Sequence, residues 1–596
     1  MTSHKYNMGV IGNCSYMGYI DTLASVRWLC MPRFDSYPIF GNLLSSKPES
    51  GVFQLVPPNA IPIKQYYKEN TNVLCTEIAT QDGEIRVTDF APRFAEHGRR
   101  FMPNMLFRKI EKLSGNPKLL IKCLPAIPKN KNQIEVTQGS NHLLFLGMGA
   151  TTRLTTNLSL SYIKEEEELL LSETAWLVFS YGPPLEAPIV ETGDRFLHLT
   201  TRYWREWVKS TSIHGIFQRE VIRSALILKL HQFDDTGAII AAGTSSLPES
   251  LHSGRNWDYR YSWMRDSYYT IRAFADIGHF NEMERYFHYL ENIISKSKDK
   301  ISPLYTLTGK PVPDEYNLDW EGYFDSGPVR LGNNANIQQQ FDVYGQMLTA
   351  ILPLYVDQRL LSYREVPSLD LIKHLLLLME SHFDTPDAGL WEFRNLRQAH
   401  TYTYLFHWAG ANAAITAAKK HHNQDILNLA LKLREKAKNR LESTYFSELK
   451  RYGQARHSSV ADASTLQLIT LGYLKENPDK ALEHLRSLES ELSAPNSLFF
   501  RYKNADDFGA PDNTFLITAF WRAEALACVG QVDEATEHLK NLFNYSNHLG
   551  LFSEDVSIDG SQWGNFPQTY SHVGLMNAVK RIAQAKELPF FQEEYN

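Results

Sequence analysis

The sequence predicts a multidomain β + α protein, an N-terminal β-sandwich followed by helical hairpins closed into a ring. Two patterns predict it. The first 200 or so residues carry short segments rich in β-branched and large apolar side chains, separated by Gly, Pro and Asn turns. Beyond them, apolar residues recur at helical spacing. The length of 596 residues supports a division, because one hydrophobic core rarely grows past about 250–300 residues. The expected limits are 1–200 for the sandwich, 201–235 for a linker and entry helix, and 236–596 for a catalytic helical domain.

The expected strands lie at 52–56, 73–78, 84–89, 119–123, 142–146 and 175–180. Four consecutive glutamates at 165–168 fit a solvated turn between strands. Helices are expected at 203–210 and 216–231, the second placing Val221, Ile222, Ala225, Leu226, Leu228 and Leu230 at helical spacing. Further helices are expected at 268–276, 281–295, 336–354, 368–382, 402–421, 424–444, 461–471, 480–492, 513–530 and 532–545. The connections 306–333 and 495–512 are long for a compact helical domain, which marks them as functional loops lining a pocket at one end. No sequence period resolves, which excludes a solenoid of identical repeats.

Composition narrows the function classes. Apolar residues at 43% and charged residues at 21% match a globular protein. A net charge of -6 without a Lys/Arg-rich block gives no reason to expect nucleic acid or an anionic membrane surface. No run of 18 apolar residues offers a membrane span, and the N-terminal segment lacks the apolar stretch of a secretion signal. Cys14, Cys30, Cys75, Cys123 and Cys528 are odd in number and scattered, with neither metal spacing nor a disulfide framework. A reduced cytoplasmic protein is expected. Nothing resembles H-E-x-x-H, a P-loop or a dinucleotide fingerprint, so no metal or cofactor is expected. Self-association into a homo-oligomer is left open.

One stretch stands apart. Residues 255–266, RNWDYRYSWMRD, crowd four aromatic rings and five charged groups into twelve positions. A folding core does not need that mixture, since each buried charge must find a partner. A sugar pocket does: rings stack on C–H faces while fixed ions hold hydroxyl pairs. A buried ion-pair network is the competing reading of the same residues.

Five blocks together resemble the glycoside hydrolases of family 15, the glucoamylase-like enzymes. They are WLCMPRFDS at 28–36, TGAIIAA with SSLPE at 236–249, the 255–266 stretch, GYFDSGPVRLGN with QFDVYG at 322–345, and GNFPQTYSHVGL at 564–575. The resemblance implies a β-sandwich joined to an (α/α)6 barrel, and an inverting exo-α-glucosidase. Inversion needs a carboxylic acid for the leaving oxygen and a carboxylate for water, about 6.5–9.5 Å apart. The family's acid follows a Trp in Leu390-Trp391-Glu392, which makes Glu392 the expected acid, its proton retained by an apolar wall of Leu390 and Trp391. The family's base lies in a loop like Leu551-Phe552-Ser553-Glu554, which makes Glu554 the expected base and Asp555 its substitute. Without the resemblance each would pass as an exposed loop carboxylate. Arg265 and Asp266 match the pair that holds the terminal glucose, with Tyr259, Trp263 and Trp391 as pocket wall. Arg501 matches a substrate-binding arginine, and Trp320 a tryptophan beside the next sugar. Arg330 fits binding and structural ion pairing equally, whereas Asp258 and Arg260 are expected to tie segments together.

Departures from the family pattern concern specificity. Tyr404 stands where relatives carry a Lys near the leaving group, and Phe324-Asp325 follow a shortened loop on the aglycone side. The leading expectation is a glucoamylase-like enzyme releasing β-glucose from nonreducing ends of α-1,4-glucans or maltooligosaccharides. Its alternatives are a trehalase of the same family and an α-1,6 glucosidase. An inverting disaccharide phosphorylase needs no second carboxylate, so Glu554 argues against it. A noncatalytic glucan-binding regulatory protein would have no use for both glutamates.

Overall fold

The computed structural model describes residues 3–127, 133–361 and 366–586. Its N-terminal part is sheet-rich. A six-stranded antiparallel sheet runs in the order Met8–Gly12, Met17–Asp21, Val26–Cys30, Val52–Leu55, Ile121–Leu124, with Pro38–Phe40 branching from the third. An eight-stranded antiparallel sheet runs Glu135–Gln138, His142–Leu146, Thr152–Thr156, Ala175–Tyr181, Met105–Gly115, Gly83–Phe90, Leu74–Thr80, Ile61–Tyr67. The two sheets share a core of Ile20, Leu29, Phe53, Val87, Leu106 and Phe179.

Strand alternation explains the apolar run of Ala175–Tyr181. Ala175, Leu177 and Phe179 enter the core between the sheets, while Trp176 and Val178 enter the larger core shared with the helices. Both faces are buried, so the strand has no polar side. The helix Ile189–Lys209 lies over that second face, and Gly193 is required there because a Cβ would stand 2.8 Å from the Trp176 ring. The sequence pattern marked only the end of this helix, since Ile189, Val190, Thr192 and Gly193 are weak helix formers. The glutamates 165–168 are exposed and follow the short helix Leu160–Lys164.

The C-terminal part is helical. Six inner helical segments pack in a closed cycle: Met264–Asp276, Asp342–Ile351, Thr401–Lys420, Gln467–Thr470, Leu516–Cys528 and Thr569–Ala585, the last returning to the first. Outside them lie Phe280–Ile294, Asp370–His382, Gln424–Glu442, Pro478–Leu492, Val532–Phe543 and Gln218–His231. Inner and outer helices differ in pattern for a physical reason. Gln424–Glu442 buries Ile426, Ala430, Leu433, Ala437 and Leu441, one stripe at helical spacing. Thr569–Ala585 is buried on nearly every side, so no polar face betrays it, and the sequence reading passed over it. Two inner helices touch backbone to backbone: a Cβ on Gly345 would collide with the Phe406 carbonyl, and one on Gly410 with Gly345.

The helix expected at 336–354 begins only at Asp342, because Gln338 and Gln340 turn into the site described below. No helix among the described residues is long and apolar enough to cross a membrane.

Candidate active site

The cleft residues come from segments that lead into the N-termini of inner helices. Tyr259, Trp263, Arg265 and Asp266 precede or open Met264–Asp276; Gln338 precedes Asp342–Ile351. Leu390, Trp391 and Glu392 precede Thr401–Lys420, Arg501 and Phe508 precede Leu516–Cys528, and Glu554 precedes Thr569–Ala585. Loops at one end of the ring thus converge on one cavity.

Glu392 sits at a turn with φ +61°, a conformation rare outside glycine. Its amide donates to the Gly389 carbonyl at 3.2 Å, and its carbonyl accepts from Gln338 Nε2 at 3.0 Å. Its carboxylate Oε1 accepts from Trp263 Nε1 at 2.8 Å and from an Arg265 nitrogen at 3.1 Å. Trp263 is therefore a hydrogen-bond donor as well as a wall. The expected apolar wall is only partly present: Leu390 is buried beside the turn, but a guanidinium reaches the carboxylate itself. The Trp391 indole donates to both oxygens of Asp462, at 3.1 and 2.9 Å, which fixes the ring in the cleft lining.

Glu554 is held by the hairpin of Asp555–Val556 and Gln562–Trp563. Its amide donates to Asn565 O and its carbonyl accepts from Leu516 N. Tyr259 OH donates to Oε1 at 2.6 Å and the Asn565 amide to Oε2 at 3.1 Å. The Tyr259 and Trp263 rings meet edge to face with centroids 5.4 Å apart. This aromatic pair spans the two glutamates, each ring donating to one of them.

Burial, reinforced by the charge of Glu249, pushes the Glu554 carboxyl up to about 8, against the Tyr259 and Asn565 donors. Asp555 is raised well above the ordinary aspartate range by burial and by the charges of Glu249 and Glu554. The oxygens of Glu249, Glu554 and Asp555 lie within 4.8 Å of one another, the one such grouping among the described residues that could hold a cation. Arg501 already supplies positive charge there, donating to Glu249 at 2.9 Å, and Trp257 Nε1 reaches the other Glu249 oxygen at 3.0 Å. On the floor, burial lifts Asp266 to about 7, with Arg265 opposing. Arg265 also donates to Gln340 at 2.8 Å.

The structure brings Glu392, Glu554, Tyr259, Trp263, Arg265, Asp266, Trp391 and Arg501 to one cleft. It does not bring Trp320, whose ring covers Gly41 and meets Tyr37 edge to face, where the sheet-rich part joins the helices. The motif gave the aromatic identity but not its direction. Tyr404 is likewise turned away, buried against Phe383, and Phe324 is exposed outside the cleft. Neither departure touches this cavity. Arg330 is structural: it pairs with Glu315 at 3.0 Å and donates to the carbonyls of Gly254 and Asn256. Asp258 and Arg260 form a bidentate pair, and Arg260 continues to the Ser36 carbonyl, as expected of a tie between segments. Glu249, Gln338, Asp507, Phe508 and Tyr570 escaped the sequence reading as site residues. The SSLPE and GNFPQTYSHVGL blocks carried a signal for Glu249 and Tyr570.

Residues 215–580 match the family model described as Glycosyl hydrolases family 15, and residues 5–157 that described as Trehalase-like, N-terminal. The chain belongs to glycosyl hydrolase family 15. A family 15 assignment makes it a glycoside hydrolase. A trehalase of Thermoplasma acidophilum is 30% identical over 95% of this chain and 97% of its own. A trehalase of Thermoplasma volcanium is 31% identical over 97% and 93%. A bacterial glucoamylase solved with acarbose superposes with a TM-score of 0.69 at 16% identity, covering 98% of this chain and 94% of that one, a likeness of fold alone. These relatives correct the leading expectation of a glucoamylase-like enzyme acting on α-1,4-glucans. Six full-length relatives, 26–31% identical over 94–97% of this chain, are trehalases. The shared blocks encode the family's chemistry, and the sequence reading mistook them for a mark of substrate.

Proposed function

We propose that this family 15 protein is an inverting trehalase, cleaving α,α-trehalose into two glucose molecules. One observation carries the reading: two glutamates from separate loops line one cleft, in a chain whose full-length relatives are trehalases. The cycle of six inner helices backed by outer helices supports an (α/α)6 barrel, and the two sheets with one core support a β-sandwich. Five free cysteines, with Cys14, Cys30 and Cys75 buried, support a reducing cytoplasmic setting.

In this reading one glucose lies on the floor, its hydroxyls held by Arg265 and Asp266. Glu392 is the general acid. Its Oε1 takes both the Trp263 and Arg265 donors, leaving Oε2 to deliver a proton to the bridging oxygen as the C1–O bond breaks. Glu554 is the base. It takes a proton from the water that attacks C1 on the opposite ring face. Burial and the neighbouring carboxylates of Glu249 and Glu554 raise Asp555 well above the ordinary aspartate range, which favours its protonated form beside the base. Glu554, with a donor on each oxygen, is the member shaped to ionise, and its raised proton affinity makes it a strong acceptor.

Inversion at one of two α-linked anomeric carbons gives one β-glucose and one α-glucose. Proton NMR of a fresh trehalose digest in phosphate-free buffer is expected to show both anomers growing equally before mutarotation. Only α-glucose would overturn the inverting mechanism, and no cleavage would overturn the substrate.

A further inference from the structure

The mouth of the cleft is built unlike its floor. Arg265, Asp266 and Tyr570 are buried, whereas Arg394 and Phe508 line the same cleft from exposed positions. Phe508 belongs to the segment 503–512, which contributes Asp506, Asp507 and Phe508 to the cleft lining, and the two carboxylates fasten that segment to different neighbours. Asp506 pairs with Arg255 at 2.9 Å and accepts from Tyr502 OH at 2.5 Å. Asp507 accepts the backbone amides of Arg394 at 2.5 Å and Asn395 at 3.0 Å. Those amides lie two and three residues after Glu392, so the strap is anchored beside the turn that carries the proposed acid. Phe508 meets Trp257 edge to face at 5.3 Å, and the guanidiniums of Arg255 and Arg394 stand 5.3 and 5.6 Å from its ring. Arg394 also covers Trp257 at 4.5 Å. An exposed aromatic ring with such support is held in place rather than sampling solvent.

We propose that this strap sets the length of the substrate: Phe508, fixed across the mouth by Asp506 and Asp507, admits one sugar outside the paired glutamates and blocks a third. The placement of the first two sugars rests on the trehalase reading. Phe508 is then a specificity-determining residue that touches the outer sugar, and Asp507 a positioning residue acting through it.

The test compares kcat/KM for maltotriose and maltose in the wild type, Phe508→Ala, Asp507→Ala and Asp507→Asn. The maltotriose-to-maltose ratio is expected to rise about tenfold or more in both alanine variants, chiefly through KM, as expected when a steric wall is removed. Asp507→Asn keeps one acceptor oxygen and is expected to fall between. The two alanine changes loosen the strap at different points, so a folding defect in one leaves the other to decide. Where turnover is too slow, calorimetric binding of both sugars to Glu554→Ala, with and without Phe508→Ala, gives the same comparison. Unchanged length preference in both alanine variants, by turnover or binding, overturns the proposal. Because the comparison uses no trehalose, failure of the wild type on trehalose would sink the functional reading separately.

Discussion

Glu554 stands between neighbours that pull its proton in opposite directions. Tyr259 and Asn565 donate to its oxygens and favour the anion, while burial and Glu249 favour the acid. Replacing Glu249 with Gln removes a like charge, so the Glu554 carboxyl must fall. A base works only when ionised, and the acidic limb of the kcat/KM profile for trehalose is therefore expected to move to lower pH in Glu249→Gln. A limb that stays put, or moves up, would separate Glu249 from the base. The two glutamates that the cleft brings together were legible because each sits in a short local motif. Glu249 was not, since its role depends on meeting Glu554 from a segment far away in the chain. Trp320 failed for the complementary reason: local sequence names a side chain without fixing which way its loop presents it.

At the scale of elements, the hairpin behind Glu554 is closely built. Gly564 has φ +72°, and a Cβ there would lie 2.6 Å from both the Cβ and Oε2 of Glu554. Gly564→Ala must strain the turn and push the carboxylate aside. A displacement of about 1 Å in a catalytic group can cost about 100-fold, so kcat is expected to fall by at least about tenfold while thermal unfolding shifts far less. Wild-type kcat would show that the hairpin does not set the base. Outer helices such as Gln424–Glu442 were legible because one stripe faces inward. The inner helix Thr569–Ala585 was not, because burial on nearly all sides leaves no amphipathic period to detect.

For the whole molecule, the division into two patterns was plain in the sequence, but the joint between them was not. The larger core mixes Tyr6, Trp28, Phe90 and Trp176 from the sheet-rich part with Leu226, Phe287 and Leu575 from the helices. Buried ions cross the same joint: Arg93 pairs with Asp234 at 2.6 Å, and Arg260 reaches the Ser36 carbonyl at 2.6 Å. A shared interior of this kind makes the two parts unfold together. The fully buried pair of Arg108 and Asp89, inside the sheets, gives a test. Arg108→Ala strands a carboxylate without its partner, a loss of about 3–5 kcal/mol. Calorimetry is expected to show one transition at lower temperature, with glycoside hydrolase activity lost along the same curve. Two separate transitions would show that the parts melt independently.

The hairpin that presents Glu554 is braced by His4 and Tyr6, more than 550 positions earlier in the sequence. The His4 amide donates to Ser561 Oγ across 557 residues, the Tyr6 amide to Gln562 Oε1, and the Tyr6 hydroxyl to the Gly564 carbonyl. During synthesis His4 and Tyr6 leave the ribosome long before their partners exist. The hairpin that carries Glu554 therefore gains its brace only after residue 564 has been made, and a chain stopped before it lacks both that brace and Thr569–Ala585, the helix that closes the ring.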